Sequence, residues 1–168
     1  MSANISAMKP STTPVNSILF VCMGNICRSP AGENVMRKML TDAGLADKVR
    51  LDSAGTHGYH IGHPPDSRMI QAGRKRGLPM TGAARKVTPQ DIDSFDLVLA
   101  MGEDNYQELI RLSTEHNRHK VKRFISYCVR FKDDEVPDPY YGEMRDFEYV
   151  LELLEDGCGE ILKRINSL

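Results

Sequence analysis

The segment with the clearest chemical potential joins a short apolar run to the start of a helix. The order of its residues is Cys22-Met23-Gly24-Asn25-Ile26-Cys27-Arg28-Ser29. A loop that leaves a strand and enters a helix directs backbone N–H groups and the positive end of the helix at one place, which favours an anion. Gly24 and Asn25 tolerate positive φ and let the amides turn inward. The segment therefore predicts a phosphate-binding loop.

Two side chains of this loop could act on a bound phosphate. The loop amides and the Arg28 guanidinium would stabilise a thiolate at Cys22, and a thiolate is a strong nucleophile. A guanidinium can also hold two phosphate oxygens at once, and Ser29 can donate a hydrogen bond to the sulfur. Cys158 and Arg164 have the same spacing, but they lie in an amphipathic helical pattern with no strand before them. The local context, more than the spacing, indicates cysteine-based phosphate chemistry.

Other kinds of phosphate chemistry are poorly supported. No G-x-x-x-x-G-K-[ST] segment occurs, so a nucleotide-binding P-loop is not predicted. Three histidines, His57, His60 and His63, lie in a loop rich in Gly and Pro, where their spacing fixes no common face. Because Arg28 and the loop amides supply positive charge, we expect neither a metal site nor a cofactor.

A candidate acid lies far along the chain, at Asp138. It is flanked by Pro137 and Pro139, which restrict the neighbouring backbone and remove competing N–H groups. Next to a bound phosphate dianion, the protonated form of this carboxyl group would be favoured, as a general acid requires. By itself the segment also fits an ordinary surface turn, so the acid hypothesis depends on the Cys22 loop.

The elements that must position these residues alternate between strands and helices. Apolar runs predict strands at 17–21, 49–53, 97–101 and 121–125, and helical patterns occupy about 30–43, 66–76, 89–91, 104–112 and 147–165. This order predicts an α/β fold with three layers, α/β/α. We expect a four-stranded parallel sheet with flanking helices and the phosphate-binding loop between the first strand and the first helix. Residues 1–15 are predicted to be a disordered leader, and 16–168 a single domain.

The composition limits where the protein acts and what it binds. The chain has 168 residues, 27% of them charged, and a net charge of −1; this gives no electrostatic case for nucleic acid or an anionic membrane. No signal peptide or membrane span is indicated, so we expect a cytoplasmic protein. Its four cysteines would then stay reduced and form no disulfide framework. The oligomeric state is not indicated.

The segment from Val21 to Pro30 resembles the signature of the low-molecular-weight protein tyrosine phosphatases. Matching segments follow in the same order at 53–56, 64–68, 84–88, 95–101 and 136–142, so the resemblance covers about 17–165. It implies phosphotyrosine hydrolysis through a phosphocysteine intermediate. The implied roles are Cys22 as nucleophile, Arg28 with the loop amides as phosphate ligands, Asp138 as acid and then base, and Asn25 and Ser53 as loop supports.

The substrates expected from this resemblance are phosphotyrosine proteins, with a tyrosine kinase as a partner that acts in the opposite direction. Aromatic side chains at Tyr59, Tyr140 and Tyr141 would form the walls of the substrate pocket. Alternatively, these three tyrosines have no role in the site and only pack within surface loops.

The sequence departs from the family pattern at three places. Tyr59 stands where the family often has Trp, and Arg76 stands where some members have His. The family's Met-Asp-x-x-Asn lacks its acid here because Gly102 occupies that position. Whether Glu103 or Asp104 takes over the role of the missing carboxylate is left open.

Three alternative functions fit parts of the pattern. An arsenate reductase would need relay cysteines in a mobile loop, whereas Cys128 and Cys158 lie in strand-like and helical segments. In protein-arginine phosphatases of this kind Thr stands where this chain has Ile26, whose apolar branch would leave guanidinium N–H groups unpaired. A phosphate-binding module without turnover would be expected to lack Cys22, Arg28 or Asp138, and all three are present.

The two cysteines of the loop also suggest redox sensitivity. A thiolate at Cys22 would oxidise readily to sulfenic acid. Cys27, in the same loop, could trap that product as a disulfide if the two Cα atoms lie within about 7 Å. The alternative is that Cys27 packs beneath the loop as a small apolar residue.

Overall fold

The computed structural model describes residues 14–166, which form a mixed α/β structure. The strands are β1 (Ser17–Cys22), β2 (Arg50–Gly55), β3 (Leu97–Ala100) and β4 (Val121–Arg123). The α-helices are α1 (Arg28–Asp42), α2 (Ser67–Lys75), α3 (Pro89–Ser94), α4 (Glu103–Leu112) and α5 (Met144–Asn166), and short 3-10 helices span Ala46–Lys48, Arg118–Lys120 and Phe124–Tyr127. Most of the leader predicted at residues 1–15 lies outside the described residues. Val15, which is described, packs partly buried against the core.

The sheet is all parallel, with the strand order β2-β1-β3-β4. Strand β1 is central, and each of its six residues is buried. Its side chains alternate between two apolar clusters, with Ile18 and Phe20 in one and Leu19 and Val21 in the other. The helices therefore cover both faces of the sheet, and the predicted three-layer fold is confirmed. Cys22 lies at the carboxyl end of this central strand, where ligands usually bind in α/β sheets.

The structure differs from the sequence-based expectation at the end of β4. The strand predicted at 121–125 stops at Arg123, because a 3-10 helix begins at Phe124. The ring of Phe124 is fully buried, and it occupies the space where a side chain at Gly157 would lie. Gly157 lies in the middle of the last helix, where glycine is unfavourable, yet α5 continues unbroken through it. Close packing against Phe124 explains why a glycine stands there.

No helix within residues 14–166 is both long and apolar enough to cross a membrane.

Candidate active site

The loop between β1 and α1 is held in shape by the side chain of Asn25. Among residues 14–166, Asn25 is the one non-glycine residue with positive φ, at 59°. Its buried amide donates to Ser29 Oγ at 2.8 Å and to Ser53 Oγ at 3.0 Å, and accepts from the Arg85 backbone N–H at 2.9 Å. The loop is thus tied to the start of α1, to β2 and to the segment before α3.

Strand β2 also packs closely against the backbone of the loop. Gly55 pairs with Cys22 in the sheet, and a methyl group added at Gly55 would lie 2.6 Å from the Met23 carbonyl oxygen. Beyond the strand, the Thr56 and His57 N–H groups donate to the carbonyls of Cys22 and Met23, each at 2.9 Å. These bonds turn the carbonyls of the loop toward β2, which leaves its later amides free to face an anion.

The sulfur of Cys22 is buried and lies 3.0 Å from Ser29 Oγ. Because Asn25 Nδ2 donates to that same oxygen, the hydroxyl hydrogen of Ser29 is available to the sulfur. A second acceptor, the carbonyl of Ala54, is farther away at 3.4 Å. Ser29 can therefore donate to a thiolate at Cys22 and stabilise it, as the sequence predicts.

Arg28 is the first residue of α1, and 7% of its side chain is exposed. Nη1 donates to the Val136 carbonyl at 3.3 Å, and Nη2 lies 3.6 Å from Asp138 Oδ2. Among the residues that the structure describes, Nε is buried and has no hydrogen-bond partner. Buried donors are nearly always satisfied in native proteins, so an orphan donor requires an explanation. An oxygen of a phosphate bound over the loop would satisfy it.

Asp138 lies at the mouth of the site, with 37% of its side chain exposed. One carboxylate oxygen faces Arg28, and the other accepts from the Tyr140 N–H at 3.2 Å. The loop that carries it is anchored to the end of β3, because the Val136 N–H donates to the Met101 carbonyl at 3.0 Å. The contact with Arg28 is long, at 3.6 Å, and the carboxylate side of the pair is exposed, so the pair is weak and a phosphate could displace Asp138 from Arg28.

The predicted pocket walls differ in how they are placed. The Arg68 guanidinium lies over the Tyr140 ring, 5.3 Å from its centroid. Tyr141 is 94% exposed and meets Tyr140 edge-on, with centroids 4.9 Å apart, whereas Tyr59 is 80% exposed and stacks on His57 at 5.2 Å. Tyr140 is therefore the best-packed of the three, and Tyr59 and Tyr141 lie on the outer rim.

Sequence reasoning missed His60 as a wall. A methyl group added at Gly24 of the loop would lie 3.0 Å from His60 Cδ2, and the His60 ring lies 6.4 Å from that of Tyr140. Its position directly after Tyr59 was the available signal. Arg85 was missed as well, and its contact with Asn25 uses only the backbone N–H, which no side-chain pattern could reveal.

The other cysteines are held as neutral thiols. Burial raises the pKa of the Cys27 thiol, and the nearby Asp66 carboxylate raises it further. Burial, then the charge of Asp156, raises the pKa of Cys128 to about 12. Burial also raises the pKa of Cys158 well above its ordinary value. All four cysteines of the chain are free, so none of these three is committed to a disulfide.

The three loop histidines make different contacts. His60 and His63 approach each other with ring centroids 5.9 Å apart, whereas His57 stacks on Tyr59. Over residues 14–166, no group of three or more His, Cys, Asp or Glu side chains is arranged so that it could hold a metal ion.

The two residues considered as substitutes for the acid missing at Gly102 do not face Arg28. Glu103 accepts two hydrogen bonds from Arg123, at 2.7 and 2.9 Å, and these bonds lower the pKa of Glu103 to about 2. Asp104 is exposed in the first turn of α4. Arg76 pairs instead with two glutamates of α5, Glu152 and Glu155, so its contacts are between helices.

A thiol, an anion-binding loop with a guanidinium, and a carboxyl group thus meet at the carboxyl end of β1. The family model described as low molecular weight phosphotyrosine protein phosphatase matches residues 17–167. The chain belongs to this family. The predicted family is confirmed, and with it the predicted activity class: the chain is a protein-tyrosine phosphatase, a hydrolase that acts on phosphotyrosine.

Relatives across wide evolutionary distances support this assignment. A Synechocystis protein that carries the same family name is 50% identical over 151 residues, which span 89% of this chain and 96% of that protein. The human low molecular weight phosphotyrosine protein phosphatase is 41% identical over 88% of this chain and 94% of its own length. A crystal structure of a protein tyrosine phosphatase from Entamoeba histolytica superposes with a TM-score of 0.89 at 41% identity, covering 90% of this chain and 97% of that one.

Proposed function

We propose that Cys22, Arg28 and Asp138 carry out phosphotyrosine hydrolysis through a phosphocysteine intermediate. The observation that carries this proposal is the buried Nε of Arg28. Within the described residues it has no partner, and it belongs to a loop that begins at Cys22. A phosphate held there by Arg28 and the loop amides would lie over the sulfur. No metal or cofactor is needed for such a transfer.

In the first step the phosphate dianion takes the place of the Asp138 carboxyl group at Arg28, and this carboxyl group carries a proton at this stage. The Cys22 thiolate attacks phosphorus and forms the S–P bond while the bond from phosphorus to the phenolic oxygen breaks. Asp138, protonated and close to the leaving oxygen, gives its proton to the phenolate. Arg28 and the loop amides bind the charge that develops on the three equatorial oxygens.

In the second step a water molecule attacks the phosphocysteine. Asp138, now a carboxylate, accepts a proton from that water, and the S–P bond breaks to release inorganic phosphate. The Ser29 hydroxyl, 3.0 Å from Cys22 Sγ, donates to the departing thiolate and stabilises it. Asp138 is left protonated for the next cycle, so the reaction balances without any further reactant.

The rest of the predicted site supports these three residues. Asn25 and Ser53 fix the loop through the hydrogen bonds described above, whereas the backbone amides from Met23 to Ser29 are the proposed phosphate donors. Tyr140 and His60 would contact the phenyl ring of the substrate, with Tyr59 and Tyr141 at the rim where flanking peptide passes.

The alternative functions on this scaffold are less well supported. The thiols of Cys128 and Cys158, which a reductase relay would use, are kept neutral by burial. Ile26 is partly buried beside the loop and packs against the apolar core, so it offers no polar group to a guanidinium. Phosphotyrosine proteins are therefore the proposed substrates, and a protein tyrosine kinase is the enzyme that would form them. The cytoplasmic location and the single domain at 16–168 stay predictions from the sequence.

The test is hydrolysis of p-nitrophenyl phosphate and of a phosphotyrosine peptide in the presence of EDTA. Wild type should turn over both, and Cys22→Ser should turn over neither while still binding vanadate. Cys158→Ser makes the same exchange at the other Cys-x5-Arg pair of this chain, and it should keep wild-type kinetics. Turnover of Cys22→Ser near the wild-type rate would refute the proposed mechanism.

A further inference from the structure

The bare Cα of Gly102, just before α4, is surrounded by polar groups. A methyl group placed there would lie 3.0 Å from Arg28 Nη1, 3.1 Å from Glu135 Oε1 and 3.2 Å from Asn105 Oδ1. Arg28 Nη1 and Glu135 Oε1 thus both adjoin the space that a side chain at Gly102 would fill. The backbone of Gly102 is extended, with φ at −125°, so any residue could adopt its conformation. The important feature of this glycine is therefore the space left by its missing side chain.

Glu135 is held in this position by the start of α4. Its Oε1 accepts from the Glu103 N–H at 2.6 Å, and the positive end of a helix stabilises a carboxylate. The next residue, Val136, accepts from Arg28 Nη1 through its carbonyl and donates its own N–H to Met101. The carbonyl that contacts the guanidinium and the carboxylate near it therefore belong to one short segment, Glu135 and Val136.

We propose that Glu135 is a positioning residue for Arg28. The negative charge of Glu135 lies next to Gly102, where no side chain separates it from Arg28, and it holds the guanidinium in the orientation that binds the phosphate. This inference rests on the proposed role of Arg28. The other carboxylate beside the guanidinium is that of Asp138, whose Oδ2 lies 3.6 Å from Nη2. Without the charge of Glu135, Arg28 would turn toward Asp138, which would draw the guanidinium off the phosphate.

Glu135→Gln isolates the charge, because the amide keeps an oxygen for the Glu103 N–H. We expect kcat/KM to fall roughly three- to tenfold, the scale for a partly exposed charge acting over a few ångströms. The dissociation constant of vanadate, measured by calorimetry, should rise by a similar factor, because vanadate uses Arg28 as the transition state does. Simple loss of folded protein would lower kcat and leave KM and vanadate affinity unchanged. Asp134→Asn, an exposed neighbour that loses the same charge, is the matched control and should behave as wild type.

A second test supplies the carboxylate from position 102 instead of from position 135. Asp and Asn are equally good helix caps, but only Asp supplies a carboxylate. Gly102→Asp should therefore recover most of the kcat/KM and vanadate affinity lost in Glu135→Ala, whereas Gly102→Asn in the same background should not. Placed in wild type, Gly102→Asp should lower both, since its carboxylate would lie against that of Glu135.

The outcomes separate this inference from the proposed function. Unchanged vanadate affinity in Glu135→Gln, or equal rescue by Asn and Asp at Gly102, would overturn the role of Glu135 and leave the phosphatase mechanism intact. Wild type that neither hydrolyses phosphotyrosine nor binds vanadate would overturn the proposed function itself.

Discussion

Replacing Asn25 should show how far the active site depends on one buried amide. Asn25→Ala removes two donated hydrogen bonds, to Ser29 and Ser53, and one accepted from the Arg85 N–H. It also places alanine at a φ of 59°, and alanine lacks the polar side chain that helps Asn to adopt this conformation. Both changes act on the same five-residue loop.

The magnitude follows from these two terms. Leaving a buried donor or acceptor unpaired costs about 1–3 kcal/mol, and the lower part of that range applies because Arg85 is only partly buried. The left-handed conformation costs a residue such as alanine roughly 1–2 kcal/mol. The free energy of unfolding should therefore fall by about 2–4 kcal/mol, a large part of the roughly 5–15 kcal/mol typical of a folded protein.

Asn25→Gly separates the two terms, because glycine adopts positive φ without strain but loses the same hydrogen bonds. In urea unfolding followed by circular dichroism, it should be more stable than the alanine variant by about 1 kcal/mol. Both variants should lose at least roughly tenfold in kcat on p-nitrophenyl phosphate, since Ser29 and the loop amides are no longer held in place. Equal stabilities would show that the loop carries no strain at this position. Wild-type kcat in both variants would refute the view that this amide organises the site.

Three further changes test the chemistry, the specificity and the redox behaviour. Asp138→Asn should lower kcat by roughly 10²–10⁴ on phenyl phosphates, and the loss should shrink as the leaving phenol becomes more acidic; a uniform loss would mean that Asp138 only positions the substrate. Ile26→Thr should raise activity on phosphoarginine relative to phosphotyrosine, and an unchanged ratio would show that Ile26 does not discriminate between them. After brief peroxide treatment, wild type should recover with thiol and show a Cys22–Cys27 link by mass spectrometry, whereas Cys27→Ser should be active but recover poorly. Full recovery of Cys27→Ser would assign Cys27 to packing alone.

The parts of the site that the sequence predicts are those set by local order along the chain. An apolar strand, a loop containing Gly24 and Asn25, and a helix beyond it form one continuous segment. Its conformation depends mainly on the residues within it, so Cys22, Arg28 and Ser29 could be assigned to one anion-binding loop from spacing and residue type. The same reasoning explains why strand β1 was predicted to within one residue of its observed bounds, Ser17–Cys22.

The features that the sequence did not reveal are contacts between distant segments. The glycine in the middle of α5 is explained by the buried ring of Phe124, which packs against this helix although the helix begins some twenty residues later. The strand β4 ends just before the same Phe124. His60 reaches the loop at Gly24 only because its own segment folds over that loop. Such contacts have no periodic signature in one sequence, and they arise only when the sheet brings the segments together.

Glu135 illustrates this limit within the active site. From the sequence, the expected carboxylates near Gly102 are those of Glu103 and Asp104, because these residues are its neighbours along the chain. In the helix that begins there, Glu103 pairs with Arg123. The acid that is nearest to Gly102 along the chain is therefore not the one that lies beside Arg28. The segment that ends in Asp138 must pass the start of α4 to bring its acid to the substrate, and Glu135 lies on that path. If Glu135 does position Arg28, the phosphate-binding group and the general acid are aligned by one short segment, and a change at Glu135 should disturb both steps of the reaction together.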